Sequence, residues 1–287
     1  MIRYYVYNLE STTNFTVDNV SFKRISNYKR NVQIIANKHK DQLTFYAIES
    51  ASKSSKFFSG NHVTSVNDMM ILLSLAQSRN IFYPKARNTE TKKEWGMSLG
   101  GKRQESGYII ISEDEIESYL NTALNQIRKP DLLKEKGLDL SIFWWLEAIY
   151  ANRPLETKFI SGFIALEILA NAHANYKNIK NNGVRMKIEV LANSYGWGFM
   201  DSPLIKDWTA IRNSYMHEGT TKSLEKKKKI SREERDTRYF QLVRSVQIAL
   251  IDLLGFPTFA QRQNKISEIK NPCVKVYKVN GPFSIPT

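Results

Sequence analysis

The amino-acid sequence changes character near residue 112, and this change limits the folds that the chain can adopt. Before it, residues 2–9 and 42–48 are rich in Tyr, Val, Ile and Phe, which favour strands, and Ser, Asn and Asp between such runs favour turns. After it, apolar residues recur at helical spacing. The sequence therefore predicts an α+β fold. We expect a β-rich N-terminal domain (1–110), an α-helical bundle (111–256) and a tail (257–287) that can return to the N-terminal sheet as a strand.

Six helices are expected after residue 112. Residues 112–115 have the pattern of a capping box, and apolar residues from Ile116 to Ile127 follow at helical spacing. Further helices are expected at 141–151, 154–176, 184–194, 203–217 and 232–254. The helix at 154–176 is apolar around most of its circumference, which is typical of the central helix of a bundle. In the N-terminal domain we expect a helix at 69–78 and a mobile loop or irregular edge at 83–103.

The chain is strongly basic, which favours an anionic partner. Its 287 residues include 42 Lys+Arg and 28 Asp+Glu, a formal net charge of +14. Residues 1–110 hold 16 of the basic and 8 of the acidic residues, so the excess is not confined to one tail. Cys273 is the only cysteine, which excludes a disulfide framework and a cysteine-based zinc site within one chain. Because residues 1–7 lack the layout of a secretory signal and the apolar stretches are short, we expect a cytoplasmic protein without membrane contact.

Residues 208–219 bring three chemically useful side chains together near the end of an expected helix. Arg212 is a permanent cation that can hold a phosphate through two hydrogen bonds. His217 belongs to the residue type that exchanges protons near neutral pH, and Asn213 adds an amide. Such a set suits cleavage of a phosphodiester and indicates RNA as the substrate. Nothing in this segment has the pattern of a metal site or a phosphate-binding loop, so we expect no metal and no cofactor.

The segment Arg212-Asn-Ser-Tyr-Met-His217 resembles the Arg-polar-x3-His core of the HEPN superfamily. Residues 163–169, with the sequence FIALEIL, resemble the helix with an Ala-Leu-Glu core that precedes this motif in Apea-like HEPN domains. The spacing of about 45 residues between the two stretches is similar as well. The resemblance covers about half of the chain, roughly residues 140–256.

This resemblance implies a helical bundle that dimerises and brings two Arg/His motifs into one cleft. Many HEPN proteins are metal-independent endoribonucleases in host defence, in toxin–antitoxin pairs or in RNA-guided CRISPR effectors. The Apea-like group is associated with bacterial abortive defence against phage, and other members have lost catalysis and act as binding modules or toxin partners. For this chain the resemblance implies a homodimeric RNA-cleaving toxin or antiviral effector, with a regulatory protein or a phage-derived trigger as a further partner.

The steps of RNA cleavage can be assigned to different residues of the motif. The 2′-hydroxyl attacks its own phosphate once a base removes its proton, so we expect His217 to act as base or acid and Arg212 to stabilise the developing charge. Asn213 is expected to orient the histidine or bind a phosphate oxygen. One chain offers one such histidine, whereas the reaction needs a base and an acid, which favours a homodimer. Residues five apart on a helix point about 140° apart, so either the helix unwinds near Gly219 or a partner fills the cleft between the two side chains.

Neighbouring residues have both functional and structural interpretations. Glu167 either pairs with Arg212 or positions His217, or it forms a buried pair that fixes helix packing. Tyr215 either stacks on a base or lies in the core, which is favoured. For Arg212 and His217 themselves, the structural alternative is a surface arginine and a histidine that interacts with the helix dipole.

A basic stretch follows the motif, and it comprises Lys222, Lys226, Lys227, Lys228, Lys229 and Arg232, with Arg235 and Arg238 beyond. It either binds RNA phosphates without sequence preference or forms a solvated loop that acidic residues dilute.

Three functions therefore remain open. The first is a metal-independent ribonuclease whose N-terminal domain senses a trigger, restrains activity or contacts RNA. The second is a non-catalytic HEPN module that binds RNA or protein, and the third is a toxin partner modified on a tyrosine or another side chain by a nucleotidyltransferase. The intact Arg-Asn-x3-His pattern favours the first.

Overall fold

The computed structural model describes most of the chain, namely residues 1–38, 41–50, 54–55, 63–96, 111, 113–129, 137–149, 153–179, 183–218 and 232–256. The described residues up to Arg128, together with Leu254–Phe256, form one compact unit, and those from Lys129 to Leu253 form a second. Strands lie in the first unit and the second is helical, so the predicted α+β class is confirmed. The strand expected within 257–287 lies outside the described residues.

The first unit contains a six-stranded antiparallel sheet and a two-stranded ribbon. The strands are β1 (Ile2–Tyr7), β2 (Phe15–Val17), β3 (Val20–Arg24), β4 (Leu43–Glu49), β5 (Ser54–Ser55), β6 (Val63–Thr64), β7 (Lys85–Asn88) and β8 (Glu94–Gly96). The sheet order is β2-β3-β4-β1-β7-β8, and β5 pairs with β6. Strand β1 therefore lies inside the sheet, between β4 and β7.

Alternation of side chains gives the sheet one buried face. Tyr4 and Val6 of β1 are buried, as are Phe45 and Ala47 of β4, while the residues between them are partly exposed. This period of two is the pattern expected of a strand with one face on the core. Strands β2 and β3 are joined by a two-residue turn in which Asp18 has a φ of 51°, a conformation that suits the twist of a tight hairpin.

Among the described residues, three helices belong to the first unit: α1 (Tyr28–Lys38), α2 (Ser65–Gln77) and α3 (Ile116–Ile127). Helix α3 buries Ile116, Tyr119, Leu120, Ala123, Leu124 and Ile127, which confirms the apolar stripe predicted from the sequence. It packs against α2 and β2. The compact units consequently divide after α3, whereas the sequence-based boundary at residue 110 grouped this helix with the bundle.

The expectation of a loop or irregular edge at 83–103 is wrong for residues 85–96, which form the β7–β8 hairpin at the edge of the sheet. Within β7 only Ala86 is buried, so the strand lacks the apolar alternation by which strands are recognised. Strand β7 is instead stabilised by its pairing with β1, which the sequence of β7 does not indicate. Arg3 lies opposite Arg87 and Tyr4 opposite Ala86, and the ladder satisfies the backbone groups of both strands.

The second unit contains five helices within the described residues: α4 (Leu138–Ala148), α5 (Leu155–Tyr176), α6 (Val184–Ser194), α7 (Ser202–Glu218) and α8 (Arg232–Leu253). Helix α5 packs against each of the other four, which confirms it as the central helix. Side chains tie α4 to α8: the Trp145 indole N–H donates to the Val243 carbonyl at 2.8 Å, and the Tyr239 hydroxyl donates to the Ala148 carbonyl at 2.8 Å. Among the described helices, none is long and apolar enough to cross a membrane.

Candidate active site

The candidate site is carried by helix α7, whose start is fixed by a side-chain cap. The Asp201 carboxylate accepts a hydrogen bond from the Leu204 backbone N–H at 3.0 Å, which satisfies one of the amide donors that a helix leaves free at its N-terminus. Trp208, Ile211 and Tyr215 are then buried at helical spacing. This buried stripe fixes the rotation of α7 and therefore the direction in which Arg212, the next residue after Ile211, leaves the helix.

Arg212 is held by residues of α7 and α5. Its Nη1 donates to the Asn213 side-chain oxygen at 3.1 Å, and its Nη2 lies 3.5 Å from Oε2 of Glu167. The guanidinium carbon is 5.9 Å from the ring centroid of Phe163. Phe163 and Glu167 are four residues apart on α5 and so occupy the same side of that helix. The guanidinium of Arg212 is therefore positioned by a carboxylate, an amide and an aromatic ring.

This arginine keeps access to solvent. Relative exposure is 27% for the Arg212 side chain and 22% for Glu167, so the pair is neither sealed in the core nor free at the surface. Within the part of the chain that the structure describes, Arg212 has no further hydrogen-bond or ion-pair partner. Because a guanidinium has five N–H donors, most of its donor capacity is left for a ligand. Of the interpretations predicted for Glu167, the pairing with Arg212 is the one found, although the carboxylate is partly exposed.

The backbone of His217 lies in the last turn of α7, one residue before the helix ends, and its side chain is outside the described residues. The helix is continuous from Ser202 to Glu218. The predicted alternative in which the helix unwinds near Gly219 is not tested, because Gly219 lies outside the described residues. Because each residue of a helix turns by about 100°, positions 212 and 217 of α7 lie about 140° apart around its axis.

Tyr215 belongs to the core, as the favoured interpretation predicted. It is buried, and its ring meets Phe159 edge-on at a centroid distance of 5.7 Å. Burial raises the pKa of the Tyr215 hydroxyl, with a further contribution from the negative charge of Glu156, and a hydrogen bond with Arg235 opposes the rise. A ring held in this way is not available to stack on a base.

The basic stretch is placed only in part. Lys222, Lys226, Lys227, Lys228 and Lys229 lie outside the described residues, and Arg232 begins α8 with an undescribed side chain. The next two arginines are engaged in ion pairs. Arg235 lies 3.4 Å from a carboxylate oxygen of Glu156, and Arg238 lies 2.6 Å from one of Asp207. Their charges are therefore shared with carboxylates of α5 and α7, which weakens the case for Arg235 and Arg238 as phosphate contacts.

A buried cation was not anticipated from the sequence. Lys158 on α5 is 4% exposed, and its Nζ lies 5.9 Å from the ring centroid of Tyr239 on α8. The only sequence feature that pointed to this buried cation was a lysine near the start of a largely apolar helix. The ammonium group of such a lysine usually extends to solvent.

Comparison of the chain with protein-family models, with curated proteins and with solved structures finds no match. The site is therefore interpreted from its own geometry and from the motif.

Proposed function

We propose that the protein is a metal-independent endoribonuclease of the HEPN type, in which Arg212, Asn213 and His217 act at the scissile phosphate of RNA. One observation carries the proposal. The two stretches on which the HEPN resemblance rests, 163–169 and 212–217, meet at Arg212, which contacts both Glu167 and Phe163. Residues 45 positions apart are thus joined around a side chain that is suited to hold a phosphate. An antiphage or toxin role in the cytoplasm follows from the same resemblance.

In the proposed reaction, two copies of the chain share one cleft. One His217 imidazole takes the proton of the 2′-hydroxyl, the O2′–P bond forms, the P–O5′ bond breaks, and the second imidazole protonates the departing O5′. Arg212 stabilises the added negative charge on the phosphorane, and Asn213 holds the guanidinium in place. The products are a 2′,3′-cyclic phosphate and a 5′-hydroxyl.

A binding module without catalysis is the second candidate, and a specific contact favours it. Glu167 partly neutralises Arg212, as in a pair that serves helix packing. A non-catalytic module retains RNA or a protein without cleaving it. The third function, modification by a nucleotidyltransferase, is not favoured at Tyr215 because this residue is buried.

The test is cleavage of total RNA by the purified protein with EDTA present, followed by mapping of the product ends. We expect 2′,3′-cyclic phosphate and 5′-hydroxyl termini, and we expect Arg212→Ala and His217→Ala to abolish cleavage while retaining the fold. Arg185→Ala is the matched control, because Arg185 also pairs with a carboxylate of this unit and lies outside both the motif and the basic stretch. Cleavage by either motif variant at the wild-type rate refutes the assignment, and RNA retention without any cleavage supports the binding module.

The homodimer has its own test. Helix α4 exposes Leu140 and Phe143, which are 50% and 54% accessible, one turn apart on the same side of the helix. We propose that they contribute to the contact between the two copies. Phe143→Asp is expected to shift the protein from dimer to monomer in light scattering and to abolish cleavage. Tyr176→Asp, at a residue that is 61% exposed on α5, is expected to change neither. A dimer that persists in the Phe143 variant places the contact elsewhere.

A further inference from the structure

The sheet of the first unit has a second face, opposite the core, on which aromatic side chains are flanked by basic ones. Two rows of directly opposed residues define it. In the first row Lys23 of β3 pairs with Tyr46 of β4, and Tyr46 pairs with Tyr5 of β1. Lys85 of β7 ends this row, with its Nζ 5.4 Å from the ring centroid of Tyr5. The row reads cation, ring, ring, cation across four strands.

The second row lies two residues further along the strands and ends in two arginines. Arg3 of β1 is opposite Ile48 of β4 on one side and opposite Arg87 of β7 on the other. The Arg3 guanidinium carbon is 5.3 Å from the ring centroid of Tyr46, which links this row to the first. The residues Lys23, Tyr46, Tyr5, Lys85, Arg3 and Arg87 are called the open sheet face below. All six are partly or fully exposed.

The charge on this face is unbalanced. The Glu94 carboxylate of β8 forms ion pairs with both Lys85 and Arg87. Its oxygens lie 2.7 Å from the Lys85 Nζ and 3.6 Å from the Arg87 Nε. Within the described residues Arg3 has no carboxylate partner, and its Nε is buried without a hydrogen bond. Like charges directly opposite each other in a sheet are destabilising, as is a guanidinium donor buried without an acceptor. An anion bound between Arg3 and Arg87 reduces the repulsion between the two guanidinium groups and gives the Nε of Arg3 an acceptor.

The two tyrosines add a second kind of recognition. Their rings meet edge-on, with centroids 5.4 Å apart and planes at 86°, and both side chains are partly exposed. Exposed aromatic rings on a sheet are platforms on which unpaired bases stack, and the cations beside them meet the phosphates. A membrane surface or an acidic polypeptide supplies negative charge but no planar base for the rings.

We propose that the open sheet face binds single-stranded RNA, with bases stacked on Tyr5 and Tyr46 and phosphates held by Arg3, Arg87, Lys23 and Lys85. The choice of RNA rests on the proposed ribonuclease function, whereas the binding of an unpaired strand rests on this face alone. The face lies in the unit without the Arg212 motif, so it holds RNA independently of the chemistry.

The test is fluorescence anisotropy of the full-length protein with a labelled, fully 2′-O-methylated RNA strand of mixed sequence. This probe lacks the 2′-hydroxyl nucleophile, so its binding is measured whether or not the protein cleaves RNA. Tyr5→Leu and Tyr46→Leu are each expected to weaken binding by about 5- to 100-fold, because a stacked base is lost. Tyr5→Phe and Tyr46→Phe retain affinity, since the ring remains, and they test stacking even if the leucine variants fold poorly.

Salt dependence tests the cations separately. Each lost phosphate contact reduces the slope of log affinity against log salt by about 0.7 for a single strand, so Arg3→Gln is expected to reduce it by that amount. Arg30→Gln is the matched control: Arg30 is exposed on α1, whose Tyr28 ring packs on the buried Phe45 of the other sheet face. This variant is expected to bind the probe as the wild type does.

Three results overturn the proposal: wild-type affinity in both leucine variants, equal binding of a base-paired RNA duplex, or displacement of the probe by polyglutamate as effective as by unlabelled single-stranded RNA. Loss of cleavage in Arg212→Ala supports the proposed ribonuclease, and loss of probe binding in Tyr5→Leu and Tyr46→Leu supports the proposed RNA-binding face. Absence of cleavage in the wild type with intact binding removes only the ribonuclease.

Discussion

Replacing Arg212 with lysine separates the charge of this residue from the shape of its guanidinium. Lysine keeps the positive charge and can still approach Glu167, but it lacks the planar pair of donors that holds a phosphate through two hydrogen bonds. If Arg212 serves only to pair with Glu167, lysine is an adequate replacement. If it stabilises a phosphorane, lysine is a poor one.

The contacts of Arg212 set the expected change in stability. The Arg212–Glu167 pair spans 3.5 Å, which corresponds to about 1 kcal/mol of Coulomb attraction in water and about 5 kcal/mol at an effective dielectric constant of 20. Both side chains are more than a fifth exposed, and measured pairs of this kind contribute only about 0–1 kcal/mol after screening and side-chain entropy. Arg212→Lys is therefore expected to lower the free energy of unfolding by less than about 1 kcal/mol, a change in Tm of no more than about 4 °C.

The expected effect on catalysis is much larger. Loss of one preorganised donor to a developing oxyanion lowers kcat by about 100- to 1,000-fold. Single-turnover cleavage of a labelled RNA strand measures this rate, and thermal unfolding of the same sample measures stability. Arg185→Lys is the matched control, because Arg185 lies 2.9 Å from Glu189, a carboxylate that is 25% exposed, and it should leave the rate unchanged. Cleavage by Arg212→Lys at the wild-type rate would show that the reaction does not use the planar pair of N–H donors of the guanidinium.

Three further changes test the packing around the site and the first unit. Burial raises the pKa of the Glu113 carboxyl, and the negative charge of Glu10 raises it further. Ionisation of Glu113 therefore destabilises the fold as pH rises. At pH 7 Glu113→Gln should unfold at a higher temperature than the wild type, and well below pH 4.5 the two should unfold at the same temperature. Tyr215→Phe removes a hydrogen bond with Arg235 but keeps the ring in place, so cleavage should be unchanged and urea denaturation should show a loss of about 1 kcal/mol or less. At Gly162 a Cβ would lie 3.4 Å from Val243, so alanine should change stability by less than about 1 kcal/mol, whereas leucine should destabilise by about 1–3 kcal/mol in the same assay.

Helices with long apolar stripes were predictable from the sequence. The expected helix at 184–194 coincides with α6, and that at 154–176 differs from α5 by one residue. The helix expected at 141–151 begins and ends three residues earlier, as α4. Its start follows Gly137, which has a φ of 59° in the left-handed region that suits glycine, and an added Cβ there would lie 2.8 Å from Ile168. Periodicity identified this helix, and backbone geometry set its boundary.

Elements held mainly by tertiary contacts were not predictable. Helix α1 has no buried residue among its described side chains, and it is anchored by the Tyr28 ring against Phe45 and by an Asn31 side chain that donates to the Leu43 carbonyl at 2.7 Å. Tyr28, Val32 and Ile35 do recur at helical spacing, but this stripe is only two turns long and stays partly exposed, so it is a weak signal. The candidate site shows the same limit. Its motif was evident in the sequence, whereas the contact of Arg212 with Phe163 depends on how α5 and α7 pack.

The continuity of α7 decides how the proposed catalysis is shared between two chains. Because the backbone stays helical from Ser202 to Glu218, positions 212 and 217 of one chain lie about 140° apart around the helix axis, and Arg212 is held against α5. Under the proposed function, the imidazole that works beside this guanidinium therefore comes from the second copy. The dimer then contains both the base and the acid, whereas a single chain has one His217 and can supply only one of them. Under the proposed function, cleavage is therefore expected to depend on protein concentration by mass action, with little activity until enough of the chain accumulates to dimerise.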